Sequence, residues 1–345
     1  MRVLQAMAGA AHGGAETYFV DMVTALHRAG LDQTVVIRTN PARAGVLRDA
    51  GIDPHQLPFG GPLDVFSKSR LGRIISASQP DIVQSWMNRA TRFVSRPTGA
   101  QAFVHVGWLG GYYKLANYRA CGHLVGVTPD IRAHQVAGGL RDDCAHYIPT
   151  FAVAETMPAV PRETFATPDD APLFLSLGRL HEKKAFDILI RAAALVPGAY
   201  VWIAGDGPLE GKLAALIEEL NVADRVKLLG WRDDREALFG AADYCVLPSR
   251  FEPFGTVMIE AWAQNVPLIA AAAKGPKGLI EDGKTGLLVP VNDVDALARA
   301  MKFLIADPIL RARLVAGAGE AFAARFTEDA VVAQYLDFYK DILKP

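Results

Sequence analysis

Two glutamates, Glu252 and Glu260, stand in the stretch SRFEPFGTVMIEAWAQNVP, Ser249 to Pro267. Glu252 precedes a turn at Gly255. Glu260 lies about two helical turns further on, in a segment whose apolar residues Val257, Met258, Ala261 and Trp262 recur at helical spacing. The run Tyr244 to Leu247 ahead of them reads as a buried strand. The turn thus joins the carboxyl end of a strand to a helix N-terminus, where amides without intrahelical partners attract anions, phosphate above all. Carboxylates beside a phosphate would repel it, so these two are better suited to accept hydrogen bonds from hydroxyls. A diphosphate with sugar hydroxyls at both ends fits the pattern, and that is the outline of a nucleotide-sugar.

A cationic pair completes this arrangement. Arg179 closes the strand LFLSLGRL just after Gly178, and Lys184 opens KAFDILIRAAALV, whose Phe186, Leu189, Ile190 and Ala193 share one helical face. Two cations at a strand-to-helix turn suit a diphosphate, the arginine forking onto two oxygens and the lysine acting as a point charge. Lys183 reads as a surface neighbour.

With EPFGTVMIEA following a strand that ends in LPS, the stretch resembles the Glu-x7-Glu motif of retaining family four glycosyltransferases of the GT-B fold. The resemblance implies an α/β chain of two Rossmann-like, doubly wound parallel-sheet domains facing a cleft. It also implies that Glu252 touches the transferred sugar and Glu260 the ribose, with Arg179 and Lys184 on the donor diphosphate. The Gly13-Gly14-Ala15-Glu16 turn after the first strand, and the Gly205-Asp206-Gly207-Pro208 turn, match family loops that border the donor. Gly178, Phe254, Gly255 and Thr256 belong to the same donor set, and Trp231 or Arg232 would meet the base. Ala185 stands where the family usually has glycine after its lysine. Lys274 to Gly278 is similar to the family's Gly-Gly-Pro turn near the donor sugar. His105, a candidate base, falls where relatives often place a His or Arg near the transferred sugar, although a lone histidine in an apolar strand is more often a hydrogen-bonded core residue. Relatives that read Arg-Leu-Gly-Gly-Tyr-Tyr correspond to Trp108-Leu109-Gly110-Gly111-Tyr112-Tyr113 here, which removes the arginine.

Several other patterns lead nowhere. The GDGPLEG run has the spacing of a loose dinucleotide fingerprint but sits on the second strand of its domain, where nicotinamide binding is not expected. Asp293-x-Asp295 suits a helix cap better than a metal, and His181-Glu182 lacks a second histidine at position 185. His123 reads as a packing residue at a strand edge.

The elements that must hold these residues follow from the rest of the chain. At 345 residues, 51% hydrophobic and 21% charged, it is long for one core and suits two soluble domains. No apolar run reaches the roughly 18 residues needed to span a bilayer, and MRVLQAMAGAA reads as a first strand and glycine turn rather than a signal peptide. Cys121, Cys144 and Cys245 are scattered, which argues against a disulfide framework and for a reducing cytoplasm. Alternating strands and helices run from TVVIRTN through ARAGVLRDAG, HQLPF, a helix near Ser69 to Ser78, DIVQSWM and QAFVHVGWLG. That alternation predicts a parallel sheet whose ligands lie beyond the strand carboxyl ends, placing His105, Trp86, Asn88 and the loop Trp108 to Tyr113 at its rim. Pro149 to Pro172 reads as a linker. The expected division is 1–155 on the acceptor side, 156–326 on the donor side, and 327–345 as a helix that the family fold returns to the first domain.

Residues 1–150 carry 15 Lys and Arg against 10 Asp and Glu, leaving 21 against 27 for the remainder. A basic front half can offer weak contact to the inner membrane surface or to a phosphorylated acceptor, and is also within ordinary variation. The expectation is a metal-independent retaining transferase, with no cofactor and no nucleic-acid partner. It takes a nucleotide-sugar donor, a UDP-sugar being favoured, and a glycan or lipid-linked acceptor of the cell envelope, such as lipopolysaccharide core or exopolysaccharide. A glycoside hydrolase would leave the phosphate turn and cations without a use. A non-catalytic nucleotide-sugar binder or an epimerase on the same scaffold are the remaining alternatives.

Overall fold

The computed structural model describes residues 1–11, 13–61, 64–95 and 102–344. By its contacts the chain divides into two units, Met1–Thr150 with Glu328–Pro345, and Phe151–Thr327. Each is built on one parallel sheet. In unit 1 the strands are β1 (Arg2–Met7), β2 (Asp32–Arg38), β3 (His55–Leu57), β4 (Ile82–Trp86), β5 (Val104–Leu109), β6 (His123–Gly126) and β7 (Ala145–Tyr147), in the order β3-β2-β1-β4-β5-β6-β7. Gln101, at the start of the QAFVHVGWLG run, lies outside the described residues. The connecting helices are α1 (Gly14–Arg28), α2 (Pro41–Asp49), α3 (Val65–Ser78), α4 (Met87–Phe93) and α5 (Pro129–Ala137). In unit 2, β8 (Leu173–Leu177), β9 (Tyr200–Ala204), β10 (Val226–Leu228), β11 (Tyr244–Leu247), β12 (Leu268–Ala271) and β13 (Leu287–Val289) take the order β10-β9-β8-β11-β12-β13. They alternate with α6 (Phe186–Ala194), α7 (Glu210–Glu219), α8 (Arg235–Ala241), α9 (Thr256–Ala263), α10 (Lys274–Leu279), α11 (Val294–Ala306) and α12 (Pro308–Arg325), and α13 (Glu328–Asp341) follows. These are the two Rossmann-like sheets that the strand and helix alternation predicts.

Continuous apolar strands produce sheets buried on both faces. In unit 2, Val201, Ile203, Val246 and Ile269 from neighbouring strands pack with Leu189 and Ile190 of α6 and Met301 of α11, all nearly fully buried. The core of unit 1 carries a polar chain as well: Trp86 Nε1 donates to Gln5 Oε1 (2.8 Å), Gln5 Nε2 to the Tyr339 hydroxyl (3.1 Å), and that hydroxyl to Gln84 Oε1 (2.8 Å). A buried polar group is costly unless it is satisfied, so this chain pins α13 to β1 and β4 in one register.

Local chemistry explains where sequence boundaries shift. Lys184 does not open α6: Glu182–Lys184 form a separate 3-10 turn, and Ala185 at φ 55° breaks the path before Phe186. Pro149 to Pro172 is no free linker either. Val160 N bonds Ala237 O (3.0 Å), and the Arg162 guanidinium donates to the carbonyls of Asp169, Ala171 and Ala241. Among the described residues no helix is long and apolar enough to cross a membrane.

Ala185 has a left-handed backbone and a fully buried methyl. Glycine there would relieve about 1 kcal/mol of backbone strain but lose comparable methyl burial and gain unfolded-state entropy. Ala185→Gly is therefore expected to change unfolding free energy by no more than about 0.5 kcal/mol in urea titration, whereas Ala298→Gly, buried inside α11, costs about 1.5 kcal/mol.

Candidate functional site

In unit 2 the sheet order reverses between β8 and β11, and in doubly wound sheets ligands bind beyond the strand carboxyl ends at such a reversal. Backbone close to backbone forms the floor of this region. Gly178 N bonds Ala204 O (3.0 Å), Leu180 N bonds Asp206 O (2.7 Å) and Gly205 N bonds Gly230 O (2.7 Å). A Cβ on Gly205 would come within 2.0 Å of Gly178 O, and one on Gly207 within 2.5 Å of Leu180 O. Both sit at positive φ, so only glycine serves.

On this floor the charged residues assemble. Lys184 Nζ donates to Glu252 Oε2 at 2.5 Å, and Ser249 Oγ donates to the same oxygen at 3.1 Å. Glu252 is only 8% exposed. Two backbone bonds from Arg250 and Phe251 to Lys183 O fasten the two turns together. Arg250 adds a forked pair to Asp187 (2.8 and 2.6 Å). Arg179 is exposed and has no ion-pair partner among the described residues. Gly255, at φ 94°, leads into α9, and among the described residues no side chain caps that helix, whose first amides, those of Thr256 and Val257, have no intrahelical partner.

Glu260 is largely buried, and that burial raises its carboxyl above the usual range, opposed by Arg235. Arg235 Nη1 donates to Oε1 at 2.6 Å, while Oε2 has no hydrogen-bond partner among the described residues. At the end of β10, Trp231 is 60% exposed with Nε1 on Asp233 Oδ1 (2.7 Å), and Arg232 is paired with Asp234. Asp293 caps α11 through Ala296 N (2.8 Å).

Some expected residues stand elsewhere. Phe254 points inward, 5% exposed and edge-on to Phe326 (6.3 Å). In unit 1, Gly13 is crowded by Glu16, whose Oε1 accepts from Ala10 N at 2.7 Å, while a Cβ on Gly14 would meet nothing within 4 Å. His105 does not stand at the rim expected of it. It lies near the amino end of β5, 4% exposed, with Nε2 2.9 Å from Ser85 Oγ, and burial pushes its pKa down to about 4. Trp86 and Trp108 also pack inward, ring on ring at 4.8 Å. Alternation along a strand does not separate rim from core when both faces are buried, which is why the sequence could not place these three.

Arg235 and Arg250 escape a sequence reading because their partners lie 25 and 63 residues away, whereas the partner of Ser249 is only 3 residues away. Only Ser249, inside the strand-to-turn signature, left a local signal.

The family model described as Glycosyl transferases group 1 matches residues 161–320, and the one described as Glycosyltransferase Family 4 matches residues 12–155. The chain is 35% identical over 341 residues to the lipopolysaccharide core biosynthesis glycosyltransferase LpsD of Rhizobium meliloti (strain 1021), covering 95% of each chain. It is 32% identical to LpsE of the same organism, over 94% of this chain and 95% of that one. Among solved structures, Anabaena HepE in complex with UDP and glucose superposes with a TM-score of 0.83 at 21% identity, covering 99% of this chain and 100% of that one.

Two stability effects follow. Lys184→Ala strands a buried carboxylate and is expected to cost about 3 kcal/mol, against less than about 0.5 kcal/mol for the unpartnered Arg179→Ala, both read by urea unfolding. His105 is neutral when folded, whereas the unfolded chain protonates it near 6.5. Between pH 6.5 and 4 the unfolded state thus binds the extra proton, and stability falls with pH. His105→Gln should remove about 2 kcal/mol of the loss between pH 7 and pH 5.

Proposed function

The chain belongs to the family four glycosyltransferases, and from that premise we propose that it moves a sugar from a nucleotide-diphosphate donor to a hydroxyl of a glycan or lipid-linked acceptor. Unit 2 would bind the donor and unit 1 the acceptor. A UDP-sugar is the favoured donor, in keeping with the UDP held by the structural relative HepE. Lipopolysaccharide core or another envelope glycan is the favoured destination, in keeping with the names of LpsD and LpsE. Action at the cytoplasmic face of the membrane, by peripheral contact, belongs to the same reading.

One observation carries the donor reading: a free arginine, a lysine and an uncapped helix start converge on the reversal point of a parallel sheet, with carboxylates on either side. Lys184 spends one of its three donors on Glu252 and keeps two for a diphosphate. Arg179 and the amides of Thr256 and Val257 add positive charge where negative charge grows as the nucleotide departs. Glu252, fixed by Lys184 and Ser249, offers its other oxygen to the hydroxyls of the sugar. The open Oε2 of Glu260 suits a ribose hydroxyl, which would satisfy a buried acceptor. Trp231, held by Asp233, presents an indole face to the base.

Retention follows if the acceptor attacks from the face that the diphosphate leaves, a phosphate oxygen taking the proton. This geometry asks for no carboxylate nucleophile. Because fixed cations neutralise the leaving group, transfer is expected to persist in EDTA.

Thermal shift with UDP-, GDP- and ADP-sugars tests the donor site. At about 100 times Kd, a UDP-sugar should raise Tm by about 5 °C, and Arg179→Ala should lose most of that shift with its fold intact. Equal shifts in the wild type and Arg179→Ala would remove Arg179 from the site.

A further inference from the structure

Unit 1 contains a cavity of about 690 Å³ beyond the carboxyl ends of β1 and β4, the strands between which its own sheet order reverses. That volume suits a saccharide better than a single inorganic ion. Three cations line it. Arg89 and Arg92 are three residues apart and share a face of α4, and Lys68 comes from α3. All three are exposed, and among the described residues none has an ion-pair partner. The carboxylate that lines the cavity, Asp64, is already committed: Gly60 N donates to its Oδ2 at 2.6 Å and Ser67 N to its Oδ1 at 2.8 Å, capping α3.

Like charges gathered in one cavity repel one another, and a neutral ligand leaves that repulsion in place. An anion removes it, and paired arginines suit the forked oxygens of phosphate or carboxylate. The same walls carry the rings of Phe93 and Tyr113. Tyr113 lies parallel to Tyr118, with 6.4 Å between ring centres and 6° between planes, which holds it as a flat surface of the kind a sugar ring covers. Aromatic faces beside unpaired cations describe a charged sugar more closely than a lipid headgroup.

We propose that this cavity receives the acceptor, and that the acceptor is a saccharide bearing a phosphate or carboxylate, gripped by Arg89 and Arg92 with Lys68 adding charge. The proposal rests on the glycosyl-transfer reading for the word acceptor, but the binding it predicts is measurable without transfer.

Calorimetric titration of the full chain with glucose 6-phosphate, glucuronate and glucose decides it, with phosphatidylglycerol vesicles as a further arm. The proteins are wild type, the Arg89→Ala/Arg92→Ala double variant and Arg179→Ala. The expected result is that at least one charged sugar binds the wild type and glucose does not. The double variant, with unchanged Tm, should bind that sugar at least about tenfold more weakly, as the loss of charge-assisted hydrogen bonds implies. Arg179→Ala should bind it as the wild type does, which separates this cavity from the diphosphate site. Equal binding of glucose, undiminished binding by the double variant, or binding of vesicles alone would overturn the proposal. Should charged sugars bind here while no nucleotide-sugar binds unit 2, the transfer reading fails and the anion site stands.

Discussion

The ion pair between Lys184 and Glu252 is the contact on which the organisation of unit 2 turns. Its partners are 68 residues apart in sequence, one after β8 and the other after β11, and they meet because these strands are neighbours where the sheet reverses. A pair with little solvent access costs desolvation on both sides, so its net stability is modest while the loss of either partner is expensive. That asymmetry makes the pair a device of position. It holds a lysine beside a helix start and a glutamate beside the lysine, in a place where either alone would drift toward water. Ser249 and the clasp between Arg250 and Asp187 restrict it further.

Much of this was legible from residue types. The strand, the glycine turn and the apolar stripe behind it gave the position of α9, and the alternation of strands and helices gave two parallel sheets. Arg179, Lys184 and Glu252 could be singled out because charged residues at strand-to-helix turns have no role in an apolar core, and Glu260 by its spacing from Glu252 on the helix that follows. What could not be read were the partners. Arg235 lies one helix away from Glu260, and Arg250 looks like any surface arginine until Asp187 is placed opposite it. His105 failed for a different reason. In a sheet covered on both faces an apolar run does not show which of its residues reach the rim, and the burial of His105 near the start of β5 and its hydrogen bond to Ser85 appear only in the fold.

Glycine plays two unlike parts. At Gly205 and Gly207 the absence of a side chain lets two turns touch, backbone against backbone. At Gly14 there is room for a side chain, so the residue marks a helix start rather than a steric need. Ala185 is the converse: an alanine in a conformation that favours glycine, retained with its methyl in the core. The paired glycines of a motif are thus unequal, and only the neighbouring atoms say which one a substitution would disturb.

Unit 1 is assembled from two separate stretches, Met1–Thr150 and Glu328–Pro345, with all of unit 2 lying between them in sequence. Tyr339 joins Gln5 of β1 to Gln84 of β4, so these polar groups gain their shared partner only once α13 has been made. During synthesis the interrupted unit must therefore remain unfinished while the continuous one emerges and folds. A chain that ends before Glu328 contains all of unit 2 and lacks the helix that supplies Tyr339.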